Sequence, residues 1–173
     1  TDNVIDEERR SQIFTQSGLD IVDASVSSMA VRVDGGLEKD KITGGWGDDV
    51  LLGYKGDDEI KGQQGSDFIS GQEGHDTLWG NSGNDVIKGD QGNDLIRGMA
   101  GDDTIIGGEG NDTIFGEDGE VEDQSANALL AERTYDELGG VTMVRIGSLD
   151  TTLSNDHITD LKGNNIIIAG FGN

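Results

Sequence analysis

The chain has 173 residues, and 35 acidic against 12 basic side chains give it a formal charge of −23, which argues against a nucleic-acid partner because phosphate repels such a surface. With 29 glycines and 5% aromatics there is no material for a conventional large core, and without cysteine neither a disulfide framework nor a thiol-rich zinc site is available. No apolar run approaches the roughly 18 residues of a membrane span, no signal peptide is visible, and the chain reads as a piece of something longer, starting at Thr1 and stopping at Asn173 in mid-phrase.

Residues Thr1 to Arg10 are polar and read as loose. From Ile13 the pattern becomes strand-like, with LDIVDAS (Leu19 to Ser25) and MAVRVDG (Met29 to Gly35), where Val31 and Val33 alternate around Arg32. GGLEKDKIT (Gly35 to Thr43) is a decayed copy of the phrase that follows: it keeps Asp40 and Ile42, but Glu38 replaces a glycine. Residues 1–43 are therefore expected to be N-terminal capping strands with a degenerate first repeat, because a solenoid needs atypical ends.

The segment 44–119 organises the rest. Read in steps of nine, it runs GGWGDDVLL, GYKGDDEIK, GQQGSDFIS, GQEGHDTLW, GNSGNDVIK, GDQGNDLIR, GMAGDDTII, GGEGNDTIF. Position one is Gly44, Gly53, Gly62, Gly71, Gly80, Gly89, Gly98 and Gly107, and position four is Gly47, Gly56, Gly65, Gly74, Gly83, Gly92, Gly101 and Gly110. Position six is always Asp: Asp49, Asp58, Asp67, Asp76, Asp85, Asp94, Asp103 and Asp112. Position eight is Leu or Ile throughout, from Leu51 to Ile114. The two bracketing glycines suit a tight, positive-φ backbone that turns carbonyls inward. The three residues after the Asp, with only the middle one reliably apolar, read as a very short strand with one buried face. Each repeat is then a loop plus a strand, and two repeats make one turn of a flattened helix.

Beyond Gly116 and Gly119 the frame is lost, with Val121 where the next Asp belongs. Residues 120–150 read as a linker containing a helix at about 126–138, with Ser125 as N-cap, an interior rich in Ala, Leu and Glu, and Gly139 as the stop. Residues 151–173 read as the degenerate, truncated start of a second repeat block in a shifted phase: TTLSNDHIT puts Asp156 and Ile158 in the key positions, and DLKGNNIII puts Asn165 and Ile167 there.

These repeats resemble the RTX family, the glycine- and aspartate-rich nonapeptides G-G-x-G-x-D-x-U-x (U apolar) of calcium-binding parallel β-rolls. The expected fold class is all-β, a parallel β-roll with a short linker or capping helix and degenerate flanking rungs. One departure is position two, where Gly survives only at Gly45 and Gly108. Tyr54, Gln63, Gln72 and Met99 tolerate a left-handed backbone poorly, so either those loops carry strain or that position is less demanding than the pattern suggests.

Carboxylates and inward-turned carbonyls are hard oxygen ligands, which suit the six to eight contacts of calcium at roughly 2.3–2.6 Å. One loop cannot supply that many, whereas loops eighteen residues apart stack on one edge and share an ion. The RTX resemblance implies carbonyls from one loop plus carbonyls and the position-six Asp of its neighbour, which makes the sixteen glycines and eight aspartates named above the candidate ligands, for about six to eight calcium ions. Position five is chemically mixed, so a ligand there is expected to be a backbone oxygen. A core of one Leu or Ile per repeat is thin, each contributing about 2 kcal/mol, so calcium is expected to decide whether the module folds.

The competing readings are weaker. A disordered acidic linker would not keep Asp and Leu/Ile in strict phase, and no EF-hand loop is present. His75 lies in a loop and His157 at an outward strand position, so both read as surface residues and no catalytic constellation is expected. Outward rows (Lys61, Trp79, Arg97 and Phe115 on one sheet; Val50, Leu52, Phe68, Val86 and Ile106 on the other) read either as a binding surface or as faces covered by the helix or terminal rungs. Two function classes follow: a calcium-responsive module of a secreted, extracellular bacterial protein, or an accessory module of a secreted enzyme (protease, lipase or alginate-modifying), toxin or adhesin. The resemblance implies type I secretion through the parent protein for both.

Overall fold

The computed structural model describes residues 3–4, 12–116, 132–135, 141–146, 157–159 and 166–169. The strands in chain order are β1 (Asn3–Val4), β2 (Gln12–Phe14), β3 (Ile21–Asp23), β4 (Arg32–Leu37), β5 (Lys41–Thr43), β6 (Val50–Lys55), β7 (Glu59–Gln64), β8 (Phe68–Glu73), β9 (Thr77–Ser82), β10 (Val86–Gln91), β11 (Leu95–Ala100), β12 (Thr104–Glu109), β13 (Thr113–Phe115), β14 (Glu132–Tyr135), β15 (Val141–Ile146), β16 (His157–Thr159) and β17 (Ile166–Ala169).

A nine-residue period on a chain that must bury one side chain per repeat alternates the strands between two sheets. One sheet has the order β1-β3-β5-β7-β9-β11-β13-β17-β15-β14 and the other β16-β12-β10-β8-β6-β4-β2. The chain therefore returns to the same sheet every eighteen residues: Val50 pairs with Phe68, Phe68 with Val86, and Val86 with Thr104, all parallel. This all-β solenoid of about 6 turns is a β-roll. Leu51, Ile60, Ile69, Leu78, Ile87, Ile96, Ile105 and Ile114 are each 0% exposed, and Val33 and Ile42 continue the file toward the N-terminus. The core is thus two facing single files of aliphatic side chains.

The repeat strands are longer than the three residues expected. β6 to β12 each span six, running from position seven through position three of the next repeat. The ladder omits the position-one glycine, since Leu52 pairs with Ser70 and Tyr54 with Gln72. The glycine therefore sits inside the strand as a local irregularity rather than in a separate loop. The turn proper is only positions four to six.

The helix expected over about 126–138 is replaced, where the span is described, by a strand: Glu132–Tyr135 pairs antiparallel with Val141–Ile146. The remainder of that span lies outside the described residues. Helix propensity is a weak prior that strand pairing overrides, and here Thr134 is in register with Thr142 and Tyr135 with Val141. Among the described residues there is no helix. Further along, β16 pairs in parallel with β12, and β17 with β13, so both add rungs to the two existing sheets.

Candidate metal site

The position-six aspartates line the two edges of the roll, each 1–2% exposed. Loops on one edge are one strand spacing apart, about 4.8 Å. Each carboxylate is held by its neighbour: the N–H groups of Asp49, Asp58, Asp67 and Asp76 donate to Oδ1 of Asp67, Asp76, Asp85 and Asp94, at 2.8–2.9 Å. The same bond joins Asp85 N–H to Asp103 and Asp94 N–H to Asp112, both at 2.9 Å. One carboxylate oxygen is therefore structural. The other is not: Oδ2 of Asp58, Asp67, Asp76, Asp85 and Asp94 is buried without a hydrogen-bond partner.

An orphaned buried carboxylate oxygen is costly unless something cationic meets it. Burial is the leading cause that pushes Asp67 and Asp76 up to about 7 and Asp85 and Asp94 up to about 6. It raises Asp49, Asp58 and Asp112 as well.

The glycines divide into two roles, where the sequence suggested one. Position-four glycines take positive φ, from 112 to 148 between Gly56 and Gly110, and a Cβ at Gly74 would overlap the Gly56 carbonyl oxygen. Position-one glycines lie outside the left-handed region, and their constraint is space. A Cβ at Gly53 would overlap Asp58 Oδ2 and stand 2.9 Å from the Gly71 carbonyl oxygen. Gly62 (Asp67 Oδ2, Gly80 O) and Gly80 (Asp85 Oδ2, Gly98 O) repeat this arrangement. At these rungs, and at Gly89 and Gly98, a carboxylate oxygen and the position-one carbonyl of the next loop turn toward one point, whereas at Gly71 the nearest atoms all belong to Asp76. Position-two residues hold the other left-handed site: Tyr54, Gln63, Gln72, Asn81, Asp90 and Met99 have φ of 74 to 86, so these loops do carry strain.

Carbonyls at positions three and six are consumed by the ladder, as in Gly74 N–H to Gln91 O and Thr77 N–H to Asp58 O. Those at position four face the glycine of the adjoining loop instead, and those at position one stand beside a glycine as well, the Gly116 carbonyl next to Gly98 while also accepting the Met99 N–H at 2.8 Å. Among the described residues no group of three or more His, Cys, Asp or Glu side chains comes together. The oxygen set is accordingly one carboxylate with carbonyls, a hard donor set that suits calcium and lacks the nitrogen or sulfur that zinc or copper prefers.

The family profile for the RTX calcium-binding nonapeptide repeat, four copies long, matches residues 32–60, 52–87, 61–96, 88–120 and 149–173. The chain belongs to the RTX calcium-binding nonapeptide repeat family. No curated protein and no solved structure matches it. RTX repeats are a structural calcium-binding module, and calcium is the ion this chain takes.

Position five has a rule the sequence did not reveal. Its side chain accepts the N–H of the position-five residue eighteen later: Asp48 from Ser66, Asp57 from His75, Asn84 from Asp102 and Asn93 from Asn111. His75 belongs to this row, its Nδ1 accepting from Asn93 N–H at 2.8 Å, which leaves its ring proton on Nε2. What Asp, Ser, His and Asn share is a short-reach acceptor. The outward rows also partner themselves. Lys61 lies 4.7 Å over the Trp79 ring, Arg97 4.3 Å over Phe115 and Lys88 5.4 Å over Phe68. Among the described residues no helix is long and apolar enough to cross a membrane.

Proposed function

We propose that the chain is a calcium-responsive folding module of a secreted bacterial protein, unfolded at cytosolic calcium and closing into its roll outside the cell. The observation that carries this reading is the row of buried, orphaned Oδ2 oxygens, those of Asp58, Asp67, Asp85 and Asp94 sharing their glycine's space with a carbonyl of the next loop. The position-six carboxylates from Asp58 to Asp112, the position-one glycine carbonyls from Gly71 to Gly107 and the position-four carbonyls from Gly56 to Gly110 hold the ions. Bound calcium supplies positive charge between rungs that otherwise repel. About six to eight ions fit the number of stacked pairs. Residues 1–43, 44–119, 120–150 and 151–173 serve as cap, roll, linker and further rungs.

Export by a type I secretion machinery suits a chain that stays unfolded until it meets calcium. An accessory role in a secreted enzyme, toxin or adhesin rests on the same chemistry and differs only in what else the parent carries. Calorimetric titration of the chain with calcium and with magnesium tests the binding claim. Calcium is expected to bind at about 0.1–1 mM, the range of extracellular modules, and magnesium far more weakly because it demands a small octahedral shell. Equal response to the two ions would contradict it.

A further inference from the structure

Asp40 lies in the repeat whose pattern is broken, and Asp49 in the first repeat that fits it. Their carboxylates are nevertheless placed the other way round from what the pattern suggests. Asp40 is 2% exposed, its Oδ1 accepts Asp20 N–H at 2.9 Å, and its Oδ2 is buried without a hydrogen-bond partner. Its own N–H donates to Asp58 Oδ1 at 2.7 Å, the same brace that joins the later aspartates. A Cβ at Gly35 would stand 2.8 Å from Asp40 Oδ2 and 2.8 Å from the Gly53 carbonyl oxygen, so the cradle of Gly53, Asp58 and Gly71 recurs one turn earlier. Glu38, where the pattern has glycine, adopts φ 74, and its carbonyl faces Gly56 as the Gly56 carbonyl faces Gly74. The backbone of this loop is that of a full repeat.

At Asp49 the carboxylate is already engaged on both oxygens. Oδ1 accepts Val31 N–H at 2.8 Å and Oδ2 accepts Gly45 N–H at 2.7 Å. The cause is the loop beneath. Gly45 and Gly47 pack on Ser27, Met29 and Ala30, a segment without the repeat, and neither takes the left-handed φ of its counterparts. The Gly45 N–H therefore turns onto the carboxylate, satisfying its charge and placing the positive end of a dipole where an ion would sit.

We infer that Asp40 Oδ2, with the Gly53 and Glu38 carbonyls, forms a calcium site, and that Asp49 forms none. The edge carrying Asp40, Asp58, Asp76 and Asp94 then begins binding three repeats before the other edge, which starts at Asp67. This rests on the calcium reading above, and Asp76→Asn separates the two.

The test is the number of calcium ions bound at saturation by the whole chain and its single variants, measured by equilibrium dialysis. Asp40→Asn and Asp76→Asn should each lose one ion, and Asp49→Asn none. Glu38→Gly should leave the count unchanged while lowering the calcium midpoint, because the site exists already and only the left-handed side chain is relieved. Loss of an ion in Asp49→Asn, retention of all ions in Asp40→Asn, or a gained ion in Glu38→Gly would each overturn the assignment. Should Asp40→Asn not fold, the Glu38→Gly count still decides. An unchanged count in Asp76→Asn would overturn the calcium reading itself, and this inference with it.

Discussion

The N–H of Asp58 donates to Oδ1 of Asp76 at 2.8 Å, eighteen residues on, while Asp76 Oδ2 stays buried and unpartnered. One side chain thus ties two rungs together with one oxygen and, on the proposed function, holds an ion with the other. The two duties separate by substitution. Asp76→Asn keeps an oxygen acceptor for Asp58 N–H and removes the charge, so it should raise the calcium midpoint. Asp76→Ala also strands a buried N–H, which costs about 1–3 kcal/mol more. Urea unfolding at saturating calcium reads that difference, and equal stabilities for the two variants would show that the brace contributes nothing.

Glycine positions should respond in opposite directions. Gly74→Ala pushes a methyl into the Gly56 carbonyl at φ 148 and should prevent the roll from closing at that rung. Gln72→Gly removes a side chain from φ 77. Left-handed backbone costs an L residue about 1–2 kcal/mol, and the looser unfolded chain returns about 0.4–1 kcal/mol of that. A slightly lower calcium midpoint is therefore expected for Gln72→Gly, measured by strand signal against calcium. A higher midpoint would mean that the Gln72 side chain contributes more than its backbone strain.

Most of the roll was legible because its constraints repeat. Asp at position six and Leu or Ile at position eight have one physical reason each, and eighteen-residue stacking follows from alternation. The glycines were harder, since the letter is the same whether φ or space demands it: Gly74 needs the first and Gly53 the second. At Tyr54 and Met99 the pattern left two alternatives, strain or a less demanding position, and the residue types could not decide because neighbouring rungs impose the left-handed backbone against their own preference. The acceptor rule at position five was hidden among four residue types. Glu132 to Tyr135 was misread because helix propensity is local, whereas its pairing with Val141–Ile146 is not.

The single-file core makes each rung sensitive to truncation. Ile87 is fully buried between Ile69 and Ile105 on its own sheet. Ile87→Ala should cost about 2–5 kcal/mol and Ile87→Val about 0.5–1.5 kcal/mol. Thermal unfolding in calcium measures both, and a near-neutral Ala variant would mean the files are loosely packed.

Protons compete with calcium for the same oxygens. Burial raises Asp67 and Asp76 from 3.8 to about 7 and Asp85 and Asp94 to about 6. A folded-state pKa above the unfolded one means that protonation favours the fold. Without calcium, this contribution is complete below about pH 4 and is lost as pH rises through 6 to 7. In excess chelator, strand signal should therefore be greater at pH 5 than at pH 8. With calcium the dependence reverses, and the midpoint should fall as pH rises toward 8. A calcium midpoint independent of pH from 5 to 8 would contradict the placement of these carboxylates at the ion.

The central claim is that calcium decides whether the roll exists, and far-UV circular dichroism of the chain during calcium titration tests it most directly. The account predicts little strand signal in chelator at pH 8 and a cooperative rise at about 0.1–1 mM calcium, reversed on adding chelator. Full strand content in chelator at that pH would contradict it.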